Sequence, residues 1–106
     1  MIRDRILGLI GLSARARKIC FGADSVEIEI EKGKVNLVII AKDSSERTKT
    51  KFEKICKEKN IKSICYETIE NISKAIGKNN KAIIGIKDRN IANQIIKIYD
   101  GGESIG

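Results

Sequence analysis

The feature that most constrains this chain is a set of apolar runs too short and too β-branched for helices. "VNLVIIA", residues 35–41, has no helical period and reads as a central strand buried on both faces. "AIIGIKD", 82–88, is of the same kind, and "IKSICYE", 61–67, is a further strand. Around them lie segments with helical spacing. Residues 2–20 carry Ile2, Ile6, Leu9 and Ile10 on one face, widened by Leu7 and Leu12. Lys42-Asp43-Ser44-Ser45 forms a polar loop suited to capping a helix that runs to about Asn60, with Phe52, Ile55 and Cys56 turned inward. Thr68 caps a short helix whose apolar face is Ile69, Ile72 and Ile76 and which Gly77 stops. A last helix follows from about Asn90, with Ile91, Ile95 and Ile98 at helical spacing, and the tail "DGGESIG" is expected to fray. Strands alternating with helices within 106 residues predict a single α/β domain, a three-layer α/β/α sandwich around a mixed, largely parallel central sheet.

One segment resists this assignment. In "FGADSVEIEIEKGK", 21–34, the run Val26-Glu27-Ile28-Glu29-Ile30-Glu31 alternates apolar and acidic residues, the period of a half-buried strand. Its flanks argue otherwise, because Gly22 and Asp24 resemble a helix start and Lys32-Gly33 a helix stop. Periodicity alone favours the strand.

Charge narrows the range of functions. The chain holds 21 basic and 14 acidic residues, a net charge of +7 with a pI near 9.5, which points to a polyanionic partner. A membrane surface fits less well, because no basic amphipathic helix with aromatic anchors is present, and no apolar run approaches a bilayer span. Neither a signal peptide nor a targeting segment is visible, so a cytoplasmic location is expected. Cys20, Cys56 and Cys65 are widely spaced, odd in number and without histidine to complete a metal site, so they read as small buried apolar residues in a reducing compartment. The absence of histidine also removes the commonest general base. Ser44 and Ser45 stand at a strand's carboxyl end without a partner base, and no glycine-rich phosphate loop occurs. An enzyme is therefore not expected, and no cofactor or metal is implied.

Gly22-Ala23-Asp24-Ser25-Val26, then Gly33 before a strand and Asp43 closing it, form a recognisable order, as do "GLSARARKICFG", 11–22, and "SKAIGKNNKAIIGIKD", 73–88. From about residue 5 to 98 the chain resembles the ribosomal protein family L-seven-Ae and its relative L-thirty-e, nearest to small bacterial cytosolic members. The resemblance implies an α/β/α sandwich that binds kink-turns, sharply bent RNA helices with an internal loop of sheared G·A pairs. It also implies that Gly22 to Lys32 is a helix whose amino end meets RNA, with Val26 and Ile30 on one buried face and Ile28 pointing away.

A helix amino end suits RNA because its free N–H groups and positive pole receive phosphate or base acceptors. The family's pattern there is glycine, any residue, asparagine, glutamate, two residues, then lysine. Gly22 matches; Asp24 stands for the asparagine, Ser25 for the glutamate and Ile28 for the lysine. Asp24 keeps acceptors but loses the amide donor, Ser25 accepts only weakly, and Ile28 neutralises no phosphate. A second family contact loop corresponds to Tyr66-Glu67-Thr68-Ile69, where Tyr66 offers apolar surface, Thr68 a hydroxyl, and Glu67 repels the backbone. Arg15, Arg17 and Lys18 either complement the carboxyl pole of the first helix or grip phosphate, and Lys32, Lys34 and Lys42 either extend that grip or form a solvated face. The expectation is an RNA-binding protein, ribosome-associated and monomeric when free. The alternative is a protein-interaction module on the same fold, with Ile28 on the partner surface.

Overall fold

The computed structural model describes residues 4–101. Ile2 and the tail at 102–106 lie outside the described residues. Helix α1 (Arg5–Arg15) leads to strand β1 (Ile19–Phe21), helix α2 (Ala23–Glu31) and strand β2 (Leu37–Ile40). Helix α3 (Glu46–Glu58), strand β3 (Lys62–Cys65), helix α4 (Ile69–Ile76), strand β4 (Ile83–Ile86) and helix α5 (Arg89–Tyr99) complete the chain.

Alternate strand residues face opposite ways, and each face collects its own core. Leu37, Ile39, Ile64, Ile84 and Ile86 pack against Ile6 and Ile10 of α1, Ile72 and Ile76 of α4 and Ile91 and Ile95 of α5. Cys20, Val38, Ile40 and Ile83 pack against Val26 and Ile30 of α2 and Phe52 and Cys56 of α3. The α/β/α sandwich expected from the sequence is therefore present. Gly85 leaves room for this second core, because a Cβ there would stand 2.8 Å from the Cys20 sulfur.

The sheet is mixed, in the order β1-β4-β2-β3, but its parallel share is smaller than expected. Only β2 and β3 run parallel; β4 is antiparallel to both β2 and β1. Alternation of helix and strand does not fix direction. Helix α4 has eight residues, about 12 Å of rise, and the chain re-enters the sheet at the end where it left, as the Ala41 N–H bond to the Ala82 carbonyl records.

The first helix also ends earlier than the sequence suggested. At its stop Ala16 is followed by Arg17 at φ 59°, the Arg17 N–H bonds Ala14 and the Lys18 N–H bonds Ser13. This is a Schellman ending without its usual glycine, so nothing in the residue types marked it. It frees Ile19 and Cys20 for β1.

The segment 22–32 is a helix, as the resemblance implied and the alternation did not. Val26 and Ile30 are 0% and 2% exposed, one turn apart, while Ile28 is 54% exposed. Burying those two side chains is worth about 1.5–3 kcal/mol each. The acidic residues distribute around the helix: Glu27 pairs at 3.0 Å with Lys51 of α3, Glu31 at 3.5 Å with Lys59 at that helix's carboxyl cap, and Glu29 with Lys87 at 2.8 Å. The acidic stretch of this basic chain is thus turned onto its own lysines. The exposed Glu27–Lys51 and Glu31–Lys59 pairs contribute about 0.2–1 kcal/mol each, so the apolar face decides the conformation and the charges refine it.

No helix among the described residues is long and apolar enough to cross a membrane.

Candidate nucleic-acid interface

Helix α2 begins at Gly22, whose backbone, at φ 89° and ψ 146°, lies where L side chains are strained. Its N–H donates to the Ile83 carbonyl at 2.9 Å and its carbonyl accepts from the Val26 N–H at 3.0 Å, so the turn is fixed to β4. No side chain caps this helix, and Ala23, Asp24 and Ser25 are exposed. The first-turn N–H groups have no intrahelical acceptor by geometry and face outward beside the Ser25 hydroxyl and Asp24 carboxylate.

Helix α4 makes the contrast. The Ile69 N–H donates to Asp43 at 2.8 Å, the Asn71 N–H to Thr68 at 3.1 Å, and the Thr68 N–H to Glu67 at 3.2 Å. Two carboxylates and a hydroxyl occupy that amino end. Glu67, at φ 62°, is held there by a further bond from Asn71 at 2.7 Å. An incoming phosphate meets occupied N–H groups at α4, and at α2 open ones with a single carboxylate, Asp24, beside them.

The α2 amino end is also where cations gather. Phe21 precedes Gly22, and the ammonium groups of Lys78 and Lys81 stand 5.2 and 5.4 Å from its ring centroid. Lys42 lies at the same end of the sheet, its N–H bonded to the Glu67 carbonyl at 2.7 Å and its ammonium 6.0 Å from the Tyr66 ring. Lys78 and Lys81 were not singled out from the sequence. Their nearness to Gly22 is created by the pairing of β1 with β4, and three residues of β1 are too few to show a period. An open cleft of about 520 Å³ borders this end, lined by the cations of Lys74 and Lys78, the amides of Asn79 and Asn80 and the carboxylates of Asp43 and Glu70.

Of the residues expected to meet RNA, Gly22, Asp24, Ser25 and Lys42 are brought to this end. Tyr66 is close by but half-buried, its hydroxyl donating to Asp4 at 2.7 Å and its ring edge-on to Tyr99 at 6.3 Å. Burial and the Asp4 carboxylate raise the Tyr66 hydroxyl well above its ordinary pKa of 10.0. The Thr68 hydroxyl is engaged in capping α4. Ile28 sits on the solvent side of α2, more than a turn inside the helix. The remaining cations are elsewhere. Arg15 lies in the groove between α1 and α4, with Gly11, Asn71 and Lys74. Lys18 receives the Lys87 N–H at 2.8 Å, beyond the far end of β1, about 13 Å along the strand from Gly22. Arg17 precedes it, and Lys32 closes α2 about 15 Å from Gly22, with Lys34 just beyond. The structure places Arg17, Lys18, Lys32 and Lys34 at the opposite end of the sandwich, not beside the α2 amino end.

Neither Ser44 nor Ser45 is hydrogen-bonded to a basic side chain among the described residues. The Ser44 hydroxyl donates to the Ala41 carbonyl at 2.7 Å and Ser45 caps α3. Burial pushes the Cys20 and Cys56 thiols up to about 11, so both stay protonated at neutral pH. Among the described residues no cluster of Cys, Asp or Glu is suited to a metal ion.

The sequence and the fold have relatives among known proteins. The chain is 32% identical over 95 residues to the RNA-binding protein YlxQ of Bacillus subtilis, covering 87% of this chain and 92% of that one. It is 32% identical over 101 residues to the protein of that name in Enterococcus faecium, covering 93% and 95%. A solved structure of a protein of unknown function from Bacillus halodurans superposes with a TM-score of 0.89 at 31% identity, over 92% of this chain and 99% of that one. A Giardia lamblia 15.5 kD RNA-binding protein shares the fold, with a TM-score of 0.78 at 18% identity over 95% and 92% of the two chains. Residues 4–96 match the model of one family, and with the sandwich and the glycine-started α2 in place, the chain belongs to the ribosomal protein L7Ae/L30e/S12e/Gadd45 family.

Proposed function

We propose that this chain is a non-catalytic RNA-binding protein of the cytoplasm, monomeric when free, that recognises a sharply bent, kink-turn-like RNA through the amino end of α2. The observation that carries the reading is the uncapped helix start at Gly22, flanked by Lys78 and Lys81 over Phe21. The names of the two 32%-identical relatives support RNA as the ligand. The first-turn N–H groups donate to base or phosphate oxygens, the Asp24 carboxylate accepts from base amino groups, and the Ser25 hydroxyl does either. Lys42, Lys78 and Lys81 contact flanking phosphates. Recognition is then mainly of shape, since a widened groove admits a helix end that a regular A-form helix excludes.

The test is a titration against a kink-turn RNA and a straight duplex of equal length at several salt concentrations. A preference for the kink-turn that persists as salt rises is expected. Equal affinities that fall together, with a slope of about 0.7–0.9 per phosphate contact, would reduce the reading to charge alone. Co-sedimentation with ribosomes tests whether the RNA is ribosomal.

A second reading, a module that binds protein on the same fold, is favoured by one observation, the 54% exposure of Ile28. Replacing Ile28 by lysine separates the two.

A further inference from the structure

We infer that the end of the sandwich opposite the α2 amino terminus is a second RNA-backbone surface, centred on Lys18 and Lys34, through which the chain bridges two RNA segments. The pairing of Ile19 with Ile86 continues one step further, where the Lys87 N–H bonds the Lys18 carbonyl at 2.8 Å. Lys18 and Lys87 are therefore cross-strand neighbours on the face that Cys20 and Gly85 share with α2. Like charges set opposite one another destabilise a sheet. Glu29 relieves Lys87 at 2.8 Å and also meets Lys32 at 3.7 Å. Lys34 follows in the same turn, its N–H bonded to the Glu29 carbonyl at 3.0 Å, and Arg17 precedes Lys18 at φ 59°.

Other carboxylates nearby are engaged. Glu31 pairs with Lys59 at 3.5 Å, and the Asp88 side chain caps α5 through the Ile91 N–H at 2.9 Å. Glu29 thus stands among Arg17, Lys18, Lys32, Lys34 and Lys87, with the Asp88 carboxylate held at the start of α5, and Lys18 and Lys34 have no ion-pair partner among the described residues.

The chemistry of this end selects a phosphodiester backbone. Protein interfaces draw their energy from aromatic and apolar anchors, but Phe21, Phe52, Tyr66 and Tyr99 are all engaged elsewhere. Exposed cations on flexible stems suit repeated phosphates, whose binding is driven by counterion release. The two basic ends stand at opposite ends of β1 and α2, so an RNA docked end-on at the α2 amino terminus leaves the other surface facing away from it. A second segment, or a second molecule, occupies it.

The experiment uses the full chain, a kink-turn RNA for the α2 end and a straight RNA duplex for the opposite end. A labelled straight duplex is captured on beads carrying the kink-turn RNA, with K78E/K81E disabling the α2 end and K18E/K34E the opposite end; K18Q/K34Q and thermal melts guard against misfolding. The wild-type chain is expected to bridge the two RNAs, and each charge-reversed pair to lower capture about tenfold or more. In direct titration K78E/K81E should still bind the duplex, and the further change K18E/K34E should abolish that binding. Bridging by K18E/K34E equal to wild type, or complete loss of duplex binding in K78E/K81E alone, overturns the inference. So does a K78E/K81E chain that ignores the duplex but binds polyglutamate through Lys18 and Lys34, which would make the partner an acidic peptide. A chain that bridges as described yet shows no kink-turn preference would defeat only the proposed specificity.

Discussion

At the residue scale, two glycines make opposite predictions. Gly22 has open space around a built Cβ but a backbone at φ 89°, so Gly22→Ala is expected to cost about 1–3 kcal/mol in urea unfolding and to weaken RNA binding as the helix start shifts. Gly8 lies inside α1 with nothing within 4 Å of a built Cβ, so Gly8→Ala is expected to stabilise by about 0.5–1 kcal/mol in the same assay. Ile28→Lys places a cation one turn from Asp24 on the exposed side of α2. It is expected to leave the unfolding midpoint near wild type and to raise affinity for a kink-turn RNA several-fold; unchanged affinity would favour the protein-binding reading. These positions were legible to different degrees. Gly22 and Ile28 stood out through the family pattern, whereas nothing distinguishes Gly8 until the space around it is known.

At the element scale, α2 explains both a success and a failure of sequence reasoning. Alternation in "VEIEIE" mimics a strand because Glu27 and Glu31 are one turn apart and Glu29 lies on another side, so three acids serve two neighbours, α3 with its cap and the residue that follows β4. The pattern records charge partners, which periodicity cannot name. Hydrogen bonding to Lys87 lowers the Glu29 carboxyl below its ordinary 4.5, and the same bond raises Lys87 above 10.5. A depressed carboxylate contributes stability above its unfolded pKa and loses it as pH falls through the folded value. A raised ammonium contributes below 10.5 and loses it as pH rises through its folded value. Urea midpoints followed from pH 7 to pH 3 are therefore expected to fall less steeply for Glu29→Gln than for wild type. A second inter-element tie is the Tyr66 hydroxyl bond to Asp4, the residue that caps α1 through the Leu7 N–H at 2.9 Å. Tyr66→Phe is expected to lower stability by about 1–2 kcal/mol with little effect on RNA affinity. A large loss of affinity at unchanged stability would place Tyr66 in the contact surface after all.

At the scale of the whole molecule, the sandwich was legible because its strands are continuous apolar runs and its helices have clear faces. Strand direction and β1 were not, since each depends on where the chain returns rather than on local pattern. The same reason hid Lys78 and Lys81 and misplaced Lys18 and Lys32, whose neighbours are set by the sheet. The order β1-β4-β2-β3 also bears on when the protein becomes itself. Strand β4 is the last made and sits between two of the first, so during synthesis the slot between β1 and β2 stays empty until residues 83–86 arrive. The Gly22 N–H has its acceptor on Ile83, so the start of α2 is not anchored before then. A fragment ending at residue 81 is expected to show no RNA affinity beyond that of its charge, measurable by the salt dependence of its binding. With recognition at α2 as proposed, the nascent chain is blind to its RNA for most of its synthesis, and gains sight of it only when the final strand slides into place.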